Sequence, residues 1–121
     1  MENSLEKEWS DIIDVAKGHD DSRSRPYEEG LTAIAIEARS SDLRRHYPFT
    51  SLGKLCFSSG PRFWLGEGTP MPVYIAVQDG SLYQVWAYDP YVPIGDGMTP
   101  RLETYDPQEA VAEAVRVLAK G

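Results

Sequence analysis

Residues 72–89 read PVYIAVQDGSLYQVWAYD, and this stretch decides the fold class. It contains two runs rich in β-branched and aromatic residues, with a period of two that is typical of strands. The Asp79-Gly80 step between the runs is a strong signal for a tight hairpin. The segment KLCFS at 54–58 has the same period. Together these segments predict an antiparallel meander of three or four strands.

The C-terminal segment DPQEAVAEAVRVLAK predicts a helix over residues 107–120. Asp106 is a typical N-cap, Pro107 suits the first helical position, and Glu109 completes an acidic first turn. The polar positions of this helix are Glu109, Glu113, Arg116 and Lys120, and the apolar positions are Val111, Ala114, Val115 and Leu118. We expect the apolar side to lie across one face of the sheet.

The N-terminal part predicts helices rather than strands. Apolar residues recur at three- and four-residue spacing over Ser4–Lys17, which indicates an amphipathic helix ending near Gly18. The polar stretch that Pro26 closes predicts a linker over residues 18–27. Residues 28–39 fit a helix or a strand, and we favour a helix because Ala, Glu and Arg are good helix formers.

A short helical turn over Asp42–His46 is expected to follow, with Ser41 as its cap. The expected architecture is therefore α+β, with N-terminal helices, a β-meander and a C-terminal helix packed on the sheet. The chain has 121 residues, the size of one domain, so we expect the linker 18–27 to join the first helix to an α+β core over 28–121.

Composition limits the classes of partner. The formal net charge is −7, and an acidic surface opposes binding to phosphate backbones and to anionic membranes. We therefore expect no nucleic-acid or membrane partner. No run approaches the ~20 apolar residues of a membrane span, and the N-terminus lacks the pattern of a secretory signal. With Cys56 as the only cysteine, these features indicate a cytoplasmic protein.

The sequence contains no complete catalytic arrangement. His19, Asp20 and Asp21 offer metal-ligand atoms, but three adjacent residues cannot all converge on one ion without help, and we interpret them as a solvated loop. His46 and Cys56 could form a thiolate–imidazole pair, yet no orienting group or oxyanion site accompanies them. An inward-facing Cys56 is a small hydrophobic residue. We therefore predict no catalytic residues, no metal site and no cofactor, and an enzyme is the less favoured interpretation.

One locally basic segment stands out in this acidic chain. Arg44, Arg45 and His46, followed by Thr50 and Ser51, could bind a carboxylate or a phosphate group. The alternative is a solvated helix face. A small-molecule site built from residues 44–51 and the sheet face that bears Tyr83 or Trp86 is a related possibility.

Two glycine- and proline-rich segments are unusually apolar for loops. Residues 60–72 and 89–100 carry aromatic, aliphatic and methionine side chains with one Glu and no Lys, a composition enriched at protein interfaces. The candidate partner-binding residues are Phe63, Trp64, Leu65, Tyr91, Ile94 and Met98. The same side chains could instead cover a small core, and the sequence leaves both interpretations open.

The segment LRRHYPFTSLGKLCFSSG, residues 43–60, resembles an uncharacterised bacterial family of natural-product biosynthesis proteins. The matching positions are Leu43, Arg44, Pro48, Phe49, Thr50, Ser51, Gly53, Leu55, Phe57 and Ser58. The chain differs at Leu52, where a histidine is expected, and at Ser59-Gly60-Pro61, where a step containing Cys or Thr is expected. The resemblance implies a biosynthetic gene cluster and no established reaction.

These observations together favour an accessory, non-catalytic protein that binds and stabilises or tunes a tailoring enzyme of such a pathway. The first alternative is a small enzyme or small-molecule-binding protein of the same pathway. The second alternative is an immunity-type inhibitor, because small acidic domains can mask a basic partner surface.

Overall fold

The computed structural model describes residues 4–18, 25–51, 54–60, 66, 68–78, 82–88, 93 and 95–120. Helix α1 spans Ser4–Gly18 and α2 spans Arg25–Arg39, and a 3₁₀ turn, Asp42–Arg45, follows them. The strands are β1 (Tyr47–Ser51), β2 (Lys54–Ser58), β3 (Pro70–Gln78), β4 (Leu82–Trp86) and β5 (Leu102–Thr104). Helix α3 spans Pro107–Lys120 and follows β5. The α+β prediction is confirmed.

The strands form one antiparallel sheet in the order β1-β2-β3-β4-β5. The predicted hairpin pairs Gln78 with Leu82 and Tyr74 with Trp86; its turn, 79–81, lies outside the described residues. Two strands were not predicted. β1 contains Pro48 at the edge of the sheet, where a missing N–H is tolerated, and β5 has only three residues.

Helix α2 begins at Arg25, so the predicted start at residue 28 was wrong, and the predicted linker 18–27 extends too far. Pro26 was interpreted as the end of a loop, whereas it is the second residue of the helix. A proline in the first helical turn has no intrahelical hydrogen bond to lose, and its fixed φ angle suits the helix. None of the described helices is long and apolar enough to cross a membrane.

The three helices cover one face of the sheet. The main core joins side chains such as Phe57, Ile75 and Val85 of the sheet to Trp9 of α1 and Ile34 of α2. Helix α3 adds its predicted apolar side, and the Asp106 carboxylate accepts a hydrogen bond from the Gln108 amide at 2.9 Å, as an N-cap does. The opposite face of the sheet carries a second cluster, formed by Cys56, Tyr74, Ala76 and Trp86.

Two buried tyrosines on the opposite faces provide a matched test of this core. The Tyr83 hydroxyl donates to the Gly30 carbonyl at 2.8 Å, whereas the Tyr74 hydroxyl finds no hydrogen-bond partner among the described residues. Burial raises the pKa of both phenols. A net hydrogen bond contributes about 1 kcal/mol, whereas an unpaired buried hydroxyl costs about 1–3 kcal/mol.

We therefore expect Tyr83→Phe to lower the free energy of unfolding by about 1 kcal/mol, because its hydrogen bond is lost. Tyr74→Phe should leave that free energy unchanged or raise it, because an unpaired polar atom is removed from the core. Urea unfolding of the two variants measures both values. An equal loss in both would mean that the Tyr74 hydroxyl is hydrogen-bonded.

Candidate functional site

The basic segment is held in place by local structure. The Ser41 hydroxyl accepts a hydrogen bond from the Leu43 amide at 3.1 Å and donates one to the Ala38 carbonyl at 2.7 Å. This caps the 3₁₀ turn against the end of α2. Leu43 is 1% exposed and anchors the turn in the core. Its neighbours Arg44 and Arg45 consequently present their side chains to the exterior.

Helix α1 holds the backbone of residues 44–46 in place through Trp9. The Trp9 indole N–H lies 3.2 Å from the Arg44 carbonyl and 3.1 Å from the His46 carbonyl, and donates to both. Trp9 is 1% exposed, and its ring lies 6.2 Å from that of Phe57, between centroids. A buried indole with a satisfied N–H is a rigid support. The position of the Arg44 backbone therefore depends on how α1 packs.

These elements enclose a cleft of about 370 Å³, which we call the arginine cleft. Its described lining residues are Leu5, Glu6, Trp9, Arg39, Arg44 and Arg45. Arg39 ends α2, and Arg44 and Arg45 belong to the 3₁₀ turn. A second depression, lined by Ile13, Ile36, Ser40, Arg39 and Arg44, shares two arginines with it. Three basic side chains from two elements thus converge beside α1.

The arginine cleft has a positive excess in an acidic protein. Among the described residues, none of the three arginines forms an ion pair, whereas Arg116 pairs with Glu113 at 2.6 Å and Lys7 with Asp11 at 3.0 Å. Glu6 is the one carboxylate among the described lining residues. Guanidinium groups without carboxylate partners can form bidentate hydrogen bonds with a carboxylate or a phosphate.

His46 lies beside the arginine cleft, in a separate groove of about 200 Å³. The groove is lined by Asp42, Leu43, Arg45, His46, Val115, Leu118 and Ala119. Burial lowers the pKa of His46 below its usual 6.5, and the nearby Arg45 charge lowers it further. The imidazole is therefore mostly neutral at pH 7 and contributes little to the positive charge of the basic segment.

The structure brings together part of the predicted anion-binding set. Arg44 and Arg45 line the arginine cleft and His46 lies next to it, but Thr50 is exposed in β1 and lines none of these three depressions. Ser51 is the last residue of β1, and its side chain lies outside the part of the chain that the structure describes. Arg39 was missed because it belongs to another helix, and no sequence spacing connects it with Arg44.

One of the six predicted partner-binding residues belongs to the described part of the chain. Phe63, Trp64, Leu65, Tyr91 and Ile94 lie outside the described residues, so their interface role stays a prediction. Met98 is described. It is partly buried and packs against the second-face cluster, which is the position of a side chain that covers a core.

The other sequence candidates do not form a site with the arginine cleft. Tyr83 and Trp86 are 2% and 6% exposed and belong to the two opposite faces of the sheet, so they form no common surface. Cys56 is buried on the second face, whereas His46 lines a groove with α3 residues, on the helix-covered side. His19, Asp20 and Asp21 lie outside the described residues. Within the described part of the chain, no group of three or more metal-ligating side chains is present.

The position of Cys56 predicts slow thiol chemistry. Its side chain is 0% exposed, and its thiol faces the Lys54 carbonyl at 3.8 Å. We expect a disulfide reagent to modify native Cys56 only as fast as the protein opens, and to modify it fully in denaturing urea. A Ser40→Cys variant, with a second thiol at an exposed position, should react at once with one equivalent. Immediate reaction of native Cys56 would contradict the buried position.

The fold and the cleft define this protein as a small α+β protein with a cleft lined by three arginines. The chain belongs to a family of unknown function, DUF6193, whose profile matches residues 3–121. No curated protein and no solved structure shows significant similarity to the chain.

Proposed function

We propose that this protein is a non-catalytic accessory protein that binds a partner enzyme, and that the arginine cleft receives an acidic group of that partner. The proposed setting, implied by the resemblance of residues 43–60, is a bacterial natural-product pathway in which the partner is a tailoring enzyme. The observation that carries the proposal is the convergence of Arg39, Arg44 and Arg45, none of which forms an ion pair with another described residue.

The net charge of the whole chain makes the arginine cleft unusual. With a net charge of −7, the protein repels anions at long range, so a local cluster of three cations that pair with no described carboxylate is a specific feature. Like charges at the rim of one cleft repel each other, and an anionic group of a partner would relieve that repulsion. Complementary charge also sets the orientation of the complex and the rate of encounter.

A small-molecule-binding protein of the same pathway is the second candidate. The concave shape of the arginine cleft favours it, since its volume of about 370 Å³ falls within the range of ligand pockets, about 300–1,000 Å³. In that case the arginines would hold an anionic ligand, and a protein partner would be unaffected by their loss.

The test compares capture by the wild-type protein with capture by an Arg44→Gln/Arg45→Gln variant in lysate of the native host. The proposal predicts a biosynthetic enzyme that the wild-type protein retains and the variant loses. The Kd of the purified pair should then show the same difference. A captured enzyme that binds the wild-type protein and the variant equally would show that the cleft is not part of the interface. A basic toxin bound equally by both would support the immunity-type alternative.

A further inference from the structure

We infer that the acidic group received by the arginine cleft is a dianionic phosphomonoester rather than a carboxylate. This inference rests on the proposed function, because it names the chemistry of the same cleft. The group can belong to a phosphorylated side chain of the partner or to a small phosphorylated molecule. Both sources present the same dianion to the arginines.

The charge balance of the cleft favours a phosphomonoester dianion over a carboxylate. Three guanidinium charges, from Arg39, Arg44 and Arg45, and one carboxylate charge, from Glu6, leave an excess of two positive charges among the described lining residues. A phosphomonoester carries about −1.5 to −2 charges at neutral pH, and a carboxylate carries one. A dianion therefore balances the charge of the described lining residues, whereas a carboxylate leaves one of their positive charges uncompensated.

The geometry of the donors also suits a tetrahedral group. The arginines reach the cleft from the last residue of α2 and from two consecutive residues of the 3₁₀ turn, so they approach from different elements. A planar carboxylate has two oxygens and pairs with one guanidinium in a bidentate manner, whereas a phosphomonoester offers three oxygens to several donors. Arginine clusters are a common means of recognising phosphorylated groups.

The direction in which affinity changes with pH distinguishes a phosphomonoester from a carboxylate. Among the described residues, the carboxylates and the imidazole that line the cleft and the adjacent groove are Glu6 of α1, and Asp42 and His46 around the 3₁₀ turn. Protonation of any of them adds positive charge and favours an anion. Helix α3 contributes only apolar side chains, Val115, Leu118 and Ala119, to the described groove. A loss of affinity on acidification must therefore come from the ligand, whose second pKa is about 6.

The experiment titrates the ¹⁵N-labelled protein with phenyl phosphate, phenyl sulfate and benzoate, and follows the amide signals of residues 44–46. At about pH 7.5 we expect phenyl phosphate to bind roughly tenfold more tightly than either monoanion. At about pH 5, where the phosphate is a monoanion, that advantage should disappear. Arg44→Gln should weaken phenyl phosphate binding severalfold, and Arg116→Gln, which changes an exposed arginine on α3, should not.

A phosphoserine peptide and free phosphoserine distinguish the two sources. Tighter binding of the peptide supports a phosphorylated partner, and equal binding supports a small phosphorylated molecule. Equal affinity for phosphate, sulfate and benzoate at neutral pH would overturn the inference. Absence of phosphate binding in a protein whose partner complex still depends on Arg44 would overturn it too, while the proposed function would stand.

Discussion

Replacing Arg44 and Arg45 by glutamine should weaken the complex with the partner enzyme at least thirtyfold, and should leave the stability of the protein unchanged. Both side chains are exposed in the free protein and, within the described residues, make no ion pair. Their loss therefore breaks no ion pair with a described residue. Surface changes of this kind alter stability by less than about 0.5 kcal/mol.

The expected loss of affinity follows from what the complex would bury. Removing one member of a desolvated charge pair costs about 2–5 kcal/mol, because the other charge is left without its partner. A cost of 2 kcal/mol corresponds to about a thirtyfold change in Kd. Calorimetric titration measures Kd, and urea unfolding checks stability. Arg116→Gln is the matched control, since Arg116 is an exposed arginine that lies outside the cleft. A complex unaffected by the double substitution would contradict the assignment.

Trp9→Ala should lower the free energy of unfolding by about 3–5 kcal/mol, the usual cost of deleting a buried aromatic side chain. Trp9 is 1% exposed and belongs to the main core. Its indole N–H is also the shared donor for the Arg44 and His46 carbonyls. Tyr105→Ala is the control, because Tyr105 is 70% exposed and its truncation should change stability little.

The milder substitution Trp9→Phe tests the link between the core and the cleft. It retains an aromatic ring but loses the N–H, and we expect a cost of about 1–3 kcal/mol. Because the Arg44 and His46 carbonyls lose their common donor, partner affinity should fall as well, although all three arginines of the cleft are retained. Equal stability of Trp9→Phe and wild type, measured by urea unfolding, would show that this hydrogen bond does not stabilise the fold.

The sequence predicts the elements whose signals are local. Asp106 and Pro107 mark the start of α3, and the alternation in residues 72–89 predicts the central hairpin, because caps and strand periodicity depend on neighbours along the chain. β1 was missed because Pro48 argues against a strand in general, although an edge strand tolerates it. The start of α2 was misplaced because a proline is common both at the end of a loop and in the first turn of a helix, and Pro26 lies in the latter.

The candidate site was predictable only in part, for a physical reason. Arg44 and Arg45 are adjacent, so the sequence shows their cluster directly. Arg39 and Glu6 join them through the packing of α1 against α2 and the 3₁₀ turn, and that packing depends on contacts distant in sequence. The hydrogen bonds from Trp9 to residues 44 and 46 span 35 and 37 positions, and no local pattern indicates them.

The most direct test of the proposed function records the arginine side-chain Nε–H signals of ¹⁵N-labelled protein during titration with the purified partner enzyme. Single Arg→Gln substitutions assign the signals. The account predicts that the signals of Arg39, Arg44 and Arg45 shift or broaden on binding, and that those of Arg101 and Arg116 keep their positions. Binding that shifts Arg101 or Arg116 and leaves the three cleft arginines unchanged would contradict it.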